Sequence, residues 1–263
     1  MIAVGICIVA VLIAYLLFFL DGLRFVVKSD RIIHPKIDTA FTIVQVSDLH
    51  DRLFGANQSG LIDAVREAKP RAIVITGDLF NRHIHSACKN AFAFVRESVR
   101  IAPVYFAEGN HEIALGETGE KYIETIQKMG VTVLRDEFVD LPGIRIIGLR
   151  QYAAPQTLSA MLSPDRLNLV LSHRPELFPI YAGTGPDVVL SGHAHGGQIR
   201  LFGKGVFAPG QGFFPRFTSG QYSRQNSILL VSKGLGNTIP VPRIFNTPEL
   251  NVVEFCPSTS KGE

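Results

Sequence analysis

The sequence predicts a mixed α/β fold, because short apolar runs alternate with amphipathic stretches along most of its 263 residues. An apolar content of 46% is typical of a packed core and excludes a wholly disordered chain. The alternation of strands with helices indicates a largely buried sheet that helices cover. Strands are predicted over residues 41–47, 72–76, 103–107, 131–134, 145–149, 167–172, 188–191, 227–232 and 250–255.

The first residues predict a membrane-spanning helix. Residues 2–20 contain no charged or strongly polar side chain, and as a helix they would be roughly 28 Å long, close to the thickness of the hydrocarbon core of a bilayer. The run lacks the charged start and small-residue cleavage site of a signal peptide, which favours an uncleaved anchor over residues 1–23. A buried core helix is the alternative, although such helices usually carry a polar face.

Basic residues after the apolar run set its expected orientation. Arg24, Lys28, Arg31 and Lys36 follow the run, whereas only the amino terminus precedes it. The positive-inside rule therefore places the rest of the chain on the cytoplasmic side of the cell membrane, as a single-pass protein. Together with Asp21 and Asp30 they give residues 1–36 a net charge of +2 out of the formal +3 of the chain, and no basic stripe follows them, so we expect no nucleic-acid partner.

The chain beyond the predicted anchor divides into three segments. We expect residues 24–40 to be a juxtamembrane linker, residues 41–256 to form the folded domain, and residues 257–263 to be a flexible polar tail. Apolar residues at helical spacing predict helices over residues 58–69, 86–99 and 117–129. Ser86 is the expected N-cap of the second of these helices.

Residue types that bind metals follow five of the predicted strands directly. The clusters are Asp48-Leu49-His50, Gly77-Asp78, Gly109-Asn110-His111-Glu112, His173 alone, and Gly192-His193-Ala194-His195. Ligand sites of α/β sheets lie beyond the carboxyl ends of strands, so these side chains are expected to converge. Residues two apart on an extended chain point the same way, so Asp48 with His50, and His193 with His195, present paired ligands to one side.

Seven of these side chains form a candidate metal site: Asp48, His50, Asp78, Asn110, His173, His193 and His195. Three oxygen ligands and four imidazoles are too many for one tetrahedral ion but suit two ions that share a ligand. A central carboxylate is the best bridge, because it can give one oxygen to each cation. Taken singly, each residue is better explained as a turn former or an ordinary core or surface side chain. The coincidence at five strand ends favours the metal site, although the residues alone do not assign ligands to individual metals.

The order of these motifs resembles the calcineurin-like metallophosphoesterase family. The family pattern is Asp-x-His, Gly-Asp, Gly-Asn-His-Asp/Glu, an isolated His and Gly-His-x-His, and all five blocks occur in this order within about residues 41–255. The resemblance implies a two-sheet sandwich flanked by helices, in four layers αββα. It also implies a hydrolase of phosphate esters that uses two divalent metal ions. Mixed oxygen and imidazole ligands suit Mn, Fe, Zn or Co, and the sequence does not determine which of them is bound.

The resemblance implies a role for each site residue as well. One metal would be held by Asp48, His50, Asp78 and His195, and the second by Asp78, Asn110, His173 and His193. Asp78 would then be the bridge. His111 is not counted among the ligands; the matching family residue protonates the leaving oxygen or stabilises charge on phosphate, so His111 is the expected catalytic residue.

One position departs from the family pattern. Many members continue Gly-Asp-x-x-Asp-Arg, whereas here Asn81 replaces the second Asp, a residue that usually supports the site instead of binding metal. Arg82 can pair with a phosphate oxygen or lie exposed at the start of a helix. His83 and His85 are expected in a solvated loop or at the substrate edge, and we leave them out of the site.

The motif at residues 192–198 and the predicted anchor resemble a small membrane-anchored bacterial branch of the family. Some members of that branch are similar to UDP-2,3-diacylglucosamine hydrolases of lipid A synthesis, and others act on unidentified phosphodiesters or at the cell wall. Residues 202–217 include Phe202, Phe207, Phe213, Phe214 and Phe217. This loop can form an acyl-chain groove, contact the bilayer, or simply pack over the sheet edge.

We therefore expect hydrolysis of a phosphodiester or pyrophosphate bond, with a lipid-linked nucleotide such as a UDP-diacyl sugar as the most specific substrate. Alternatives are a soluble, cell-wall or nucleic-acid substrate, a protein phosphatase, and a silent binding scaffold. The lack of a basic stripe argues against a nuclease. Retention of all seven expected ligands and His111 argues against a scaffold. The substrate-binding residues and the oligomeric state are not determined by the sequence.

Overall fold

Two six-stranded β-sheets form the centre of the fold in a computed structural model, which describes residues 2–82, 88–238 and 242–258. The strands are β1 (Val26–His34), β2 (Phe41–Val46), β3 (Ala72–Thr76), β4 (Val104–Ala107), β5 (Thr132–Val133), β6 (Glu137–Leu141), β7 (Ile144–Gly148), β8 (Leu167–Leu171), β9 (Val188–Ser191), β10 (Arg200–Leu201), β11 (Lys204–Gly205), β12 (Phe207–Ala208), β13 (Gly212–Phe213), β14 (Gly220–Arg224), β15 (Ser227–Val231) and β16 (Glu249–Pro257). The α-helices are α1 (Ile2–Asp21), α2 (Ser59–Glu67), α3 (Lys89–Ser98), α4 (Asn110–Ala114), α5 (Glu117–Lys128), α6 (Pro155–Met161) and α7 (Phe178–Tyr181).

Parallel pairing dominates both sheets. The first sheet has the order β1-β16-β2-β3-β4-β5, in which β2 to β5 are parallel and β16 is antiparallel to β2. The second has the order β14-β15-β9-β8-β7-β6, in which β7, β8, β9 and β15 are parallel. Parallel strands place their carboxyl ends at one edge, so the loops after β2, β3 and β4 lie together, as do the loops after β8 and β9.

The strand β3 shows why the inner strands have unbroken apolar sequences. Ala72 and Val74 point into the layer between the sheets, and Ile73 and Ile75 pack in the layer outside the first sheet. All five residues of β3 are buried. A strand covered on both faces has no polar side, which is the pattern of parallel sheets with helices over them.

Apolar side chains fill three layers, one between the sheets and one outside each sheet. Val74 and Leu169 both lie in the layer between the sheets. Phe94 of α3 packs outside the first sheet, and Leu158 of α6 and Phe178 of α7 pack outside the second. The resulting order of helix, sheet, sheet and helix is the predicted four-layer architecture.

Helix α1 ends against the folded domain. The ring of Phe18 lies 5.1 Å from the ring of Phe245, the Thr247 hydroxyl donates to Asp21 Oδ2 over 2.8 Å, and Arg52 Nη2 donates to the Gly22 carbonyl over 2.7 Å. Across the described part of the chain, no helix is both long enough and apolar enough to cross a bilayer. The predicted transmembrane span is therefore not supported.

The segment predicted as a linker is largely a strand. Val26–His34 pairs in parallel with β16 along its whole length and forms one edge of the first sheet. Lys28, Asp30 and Arg31 lie within this strand. Charged side chains are compatible with an edge strand, where they reach solvent and discourage pairing with another chain. Of the predicted tail, Pro257 ends β16, and residues 259–263 lie outside the described residues.

Several short elements were also not predicted, among them α4, α6, α7 and β10 to β13. β6 and β14 were not predicted; both are outer strands with several exposed residues, so their sequences lack a buried apolar run. The helix expected over residues 86–99 is Lys89–Ser98, and the expected cap Ser86 lies outside the described residues. The other two predicted helices are present as α2 and α5.

Candidate metal centre

The structure brings the seven predicted ligands together at the carboxyl ends of the strands. Asp48 and His50 follow β2, Asp78 follows β3, Asn110 follows β4, His173 follows β8, and His193 and His195 follow β9. Six of the seven are buried, and Asn110 is half-buried. The convergence arises because both sheets direct these strands toward the same end of the sandwich.

The first group of ligands consists of Asp48, His50, Asp78 and His195, whose ligand atoms all lie within 4.8 Å of one another. Nε2 of His50 and Nε2 of His195 face each other at 3.3 Å. Asp48 Oδ1 lies 3.6 Å from the same His195 nitrogen. Two imidazole nitrogens and two carboxylates thus surround one point.

The second group consists of Asp78, His173 and His193, again within 4.8 Å. His173 Nε2 lies 3.2 Å from His193 Nδ1 and 3.1 Å from Asn110 Oδ1. The amide oxygen of Asn110 therefore lies beside this group. The outer nitrogen of His173, Nδ1, donates to the Thr76 carbonyl over 2.7 Å, which leaves Nε2 to face the centre.

Asp78 belongs to both groups through one oxygen. Its Oδ2 lies 3.7 Å from His50 Nε2 and 3.4 Å from His173 Nε2. Its Oδ1 accepts the backbone N–H of His111 over 2.8 Å. We predicted that each carboxylate oxygen would serve one cation, whereas here Oδ2 faces both sets of nitrogens and Oδ1 is held by the backbone.

The donor set fits two divalent cations. Buried imidazole nitrogens that face each other at hydrogen-bond distance can share only one proton per pair, and a cation between them satisfies both lone pairs. Oxygen and imidazole donors in this mixture suit Mn, Fe, Zn and similar ions. Asp78 is the shared member, as expected for a bridge.

Burial sets the protonation of the histidines. It lowers the pKa of His193 to about 2 and that of His195 to about 3, so both rings are neutral. Burial also opposes charge on His173, but the adjacent Asp78 carboxylate outweighs this effect and raises the pKa of His173 to about 9. His173 therefore holds a proton that balances Asp78, a role that a bound cation would take over.

Most of the ligands have an unusual backbone conformation. Five have a left-handed φ: Asp48 (50°), His50 (48°), Asp78 (54°), His193 (64°) and His195 (46°). Residues other than glycine rarely adopt this conformation, and such residues are concentrated at functional sites. Backbone hydrogen bonds hold the strained loops, including one of 3.0 Å from the His50 N–H to the Asp78 carbonyl.

Two of the glycines beside the ligands are required by close approach. A Cβ at Gly109 would collide with the carboxylate of Asp78, and a Cβ at Gly192 would collide with Ser47 and Asp48. Both positions therefore need glycine to let the loops converge.

His111 lies beside the centre but outside both ligand groups. Its ring centroid is 4.4 Å from that of His50, and its Nε2 is 3.9 Å from Asp78 Oδ2. Its Nδ1 accepts the backbone N–H of Arg82 over 3.2 Å. Because Nδ1 is the acceptor, the ring proton of His111 belongs on Nε2, which points toward the centre.

Glu112 is a supporting residue that we did not single out from the sequence. Its buried carboxylate accepts backbone N–H groups of Asp78 at 2.9 Å, Phe80 at 3.1 Å and Gly109 at 2.8 Å. It thereby joins the loop after β3 to the loop after β4. Its place in the Gly-Asn-His-Glu motif is the sequence signal that could have identified it.

Two arginines contact the outer nitrogens of the last histidines. Arg174 Nη1 lies 3.2 Å from His193 Nε2, and Arg243 Nη2 lies 3.1 Å from His195 Nδ1. Arg243 is buried and also donates to the Lys233 carbonyl over 2.7 Å. Arg174 adjoins His173 in sequence, whereas Arg243 is 48 residues from His195, so only folding reveals its position.

The other residues that the sequence singled out lie in different places. Asn81 is buried. His83 and His85 lie outside the described residues. The Phe-rich segment forms two small antiparallel ribbons, β10 with β11 and β12 with β13.

Comparison with known proteins agrees with this geometry. Residues 41–197 match the calcineurin-like phosphoesterase family. The chain is 30% identical over 227 residues to the protein YpbG of Bacillus subtilis, covering 82% of this chain and 81% of that protein. It is 29% identical over 229 residues to the phosphodiesterase YaeI of Escherichia coli, covering 82% of each.

A solved structure shares the fold. A candidate 5′-nucleotidase from Staphylococcus aureus aligns with a TM-score of 0.51 at 12% identity, covering 86% of this chain and 56% of that one. At this identity, the likeness concerns the fold alone.

The fold and the centre define a metal-dependent hydrolase of phosphate esters. The chain belongs to the calcineurin-like phosphoesterase family, as its motifs predicted. Members of this family use divalent metal ions, and the buried cluster of Asp and His residues is the place for them in this protein.

Proposed function

We propose that this protein hydrolyses a phosphodiester or pyrophosphate bond at a centre of two divalent metal ions. The observation that carries this proposal is the pair of buried ligand groups that share Asp78. One ion is assigned to Asp48, His50, Asp78 and His195, and the other to Asp78, Asn110, His173 and His193. The name of the Escherichia coli relative, a phosphodiesterase, supports a diester over a monoester.

The metal ligands and His111 have different roles in the proposed reaction. Bound divalent ions would polarise the phosphate and lower the pKa of a water so that it can attack phosphorus at neutral pH. The four imidazoles and three oxygen donors hold those ions in place. His111 Nε2, which carries a proton and points toward the centre, donates it to the leaving oxygen.

The test is a metal and substrate screen with the purified full-length protein. After chelation, the protein is assayed with Mn, Fe, Zn and Co against methyl 4-nitrophenyl phosphate, 4-nitrophenyl phosphate and a UDP-diacyl sugar. We expect chelation to abolish hydrolysis and about two equivalents of one of these metals to restore diester cleavage. Activity that survives complete chelation, or no cleavage of any substrate with any metal, would contradict the proposal.

We further propose that α1 attaches the enzyme to the cytoplasmic face of the cell membrane. Apolar side chains such as Ile6 and Val11 are exposed on α1, and large exposed apolar surfaces are typical of lipid or partner contacts. Arg24 and Arg31 follow the helix and would favour the anionic cytoplasmic leaflet.

A truncation tests this attachment. Deletion of residues 1–16 removes most of the exposed apolar surface but keeps Phe18, Asp21 and Gly22, which contact the folded domain. We expect the full chain to fractionate with membranes and the truncated chain to stay in the supernatant with its diesterase activity. If the full chain is absent from the membrane fraction, α1 does not attach the enzyme to the membrane. If protease added to intact cells digests the large domain, that domain does not lie on the cytoplasmic side.

We propose a lipid-linked phosphoester as the substrate, with a UDP-diacyl sugar as the most specific candidate. An enzyme at a membrane meets a membrane-borne substrate at a raised effective concentration. Phenylalanines that follow His195 in sequence also support an apolar substrate. A soluble or cell-wall phosphodiester becomes the better candidate if the screen shows cleavage of the small diester and none of the acylated compound.

A further inference from the structure

An apolar cavity of about 260 Å³ opens beside the metal centre. Its walls are formed by the loop that carries His195 and by Ile199, Val206, Phe207 and Phe213. His195 belongs both to this wall and to the first group of metal ligands. A group that occupies the cavity is therefore next to a phosphate bound at the centre.

The aromatic wall has a defined structure. Phe207 and Phe213 are paired in register across the ribbon of β12 and β13, and their rings meet edge to face at 5.3 Å. The ring of Phe213 is 74% exposed. Two exposed rings at the mouth of a cavity favour binding of an apolar ligand, because the ligand would bury their apolar surface.

The polar residues of the cavity do not suit a polar ligand. Among the described residues, Gln198 and Thr238 are the polar side chains that line it besides His195. Gln198 Nε2 already donates to Asn237 Oδ1 over 3.3 Å. A nucleobase or a sugar would leave its hydrogen-bonding groups unpaired against carbon, which is unfavourable.

We infer that this cavity binds a hydrocarbon chain that the substrate carries on its phosphoester, next to the bond that is cleaved. The inference rests on the proposed phosphodiesterase function and specifies its substrate as an alkyl or acyl phosphoester. Apolar cavities of about 150 Å³ take up benzene in other proteins, so this one has room for several carbons. The chain would fill the space between Phe213 and the loop of His195.

The sequence contains a matched control. Phe202 lies on the same Phe-rich segment and is fully exposed, but it is not part of the cavity wall. Phe213→Ser removes a ring from the wall, and Phe202→Ser removes an equivalent ring from elsewhere on the segment. Val206→Phe fills the cavity instead of opening it.

The experiment measures kcat/KM for alkyl 4-nitrophenyl phosphates from methyl to hexyl, which share one leaving group. In the wild type, we expect kcat/KM to rise about fourfold for each methylene that leaves water. The hexyl-to-methyl ratio should fall at least tenfold in Phe213→Ser and Val206→Phe and should keep its wild-type value in Phe202→Ser. Equal ratios in all four proteins, or no rise with chain length in the wild type, would overturn the inference and leave the phosphodiesterase function standing.

Calorimetric binding of hexylphosphonate and methylphosphonate to the metal-loaded protein tests the cavity without turnover. Tighter binding of the hexyl compound that Phe213→Ser abolishes supports the cavity even if no diester is cleaved, so failure of the proposed function is recognised separately. Binding to vesicles of anionic phospholipid is measured in parallel. If Phe213→Ser weakens vesicle binding and leaves phosphonate binding unchanged, the ring contacts a membrane and the inference is wrong.

Discussion

Backbone strain is concentrated in the residues that would hold the metals. A left-handed φ costs a residue other than glycine about 1–3 kcal/mol, and Asp48, Asp78 and His193 are among those that have it. The fold maintains these conformations through specific contacts. The backbone N–H of His193, for example, lies 3.1 Å from both carboxylate oxygens of Asp48. These strained conformations direct side chains from different loops toward one point.

At the scale of single residues, the sharpest prediction concerns Asp78. Asp78→Asn should lower bound metal and reduce kcat by more than about 100-fold, because Asp78 is the one ligand in both groups. Metal content by mass spectrometry and diester turnover are the measurements. Asp63→Asn, which changes an exposed acid on α2, should alter neither. An Asp78→Asn protein with both ions and near-normal turnover would refute the bridging role.

His111 should affect the chemistry without affecting the metals. His111→Gln is expected to keep metal content and to lower kcat by roughly 10² to 10⁴-fold for a poor leaving group, because a general acid typically contributes this much. The loss should be smaller for 4-nitrophenolate, which needs little protonation to leave. Loss of metal together with activity would show instead that His111 is a ligand.

Among the elements, the short helix α4 (Asn110–Ala114) holds two loops of the metal centre together. Its Glu112 accepts backbone hydrogen bonds from the loops after β3 and β4, so it fixes the position of Asp78 relative to Asn110. Buried backbone N–H groups that lose an acceptor are costly. A carboxylate is suited to this place because both of its oxygens accept.

Glu112→Gln should therefore destabilise the protein by about 1–3 kcal/mol, since the amide NH₂ would face a backbone N–H. The measurement is the urea midpoint of unfolding together with metal content, and both should fall. Glu124→Gln, an exposed position on α5, is the control and should change neither. If the two variants behave alike, Glu112 does not organise the loops.

At the scale of the whole molecule, Asp187 connects the two sheets. Its Oδ2 accepts from Lys36 Nζ over 3.0 Å, and its Oδ1 lies 3.3 Å from His34 Nε2 at the end of β1. It also accepts the backbone N–H of Asn168 from β8 over 2.7 Å. Burial opposes the charge of Asp187, but these partners outweigh it and lower its pKa from 3.8 to about 2.

This depressed pKa predicts a pH-dependent contribution to stability. At pH values above the pKa of Asp187 in the unfolded chain, its charge should stabilise the fold by about 2 kcal/mol. That contribution should disappear as the pH falls from about 4 to about 2. Asp187→Asn should therefore lower the urea midpoint at pH 7 and have a smaller effect at pH 3. Asp165→Asn, at an exposed site, should follow the wild type at both. A difference from the wild type that does not depend on pH would contradict the linkage.

The sequence by itself determined the class of fold, the identity of the seven converging residues and the family. These follow from local features: apolar runs identify buried strands, and the polar residue types directly after them are the ones that bind metals. Glycines such as Gly109 and Gly192 could be recognised for the same reason, because each stands beside a ligand in the chain. His111 stood out because it adjoins Asn110.

Only the tertiary structure decided which atoms and surfaces meet. Val26–His34 could not be recognised as a strand, because its partner β16 lies more than 200 residues away. The contact of Arg243 with His195 likewise depends on a loop that folds back from a distant position. The same is true of the cavity wall, which includes Phe213 but not Phe202. Local sequence determines which chemical groups follow each strand, but the pairing of distant strands determines what those groups face.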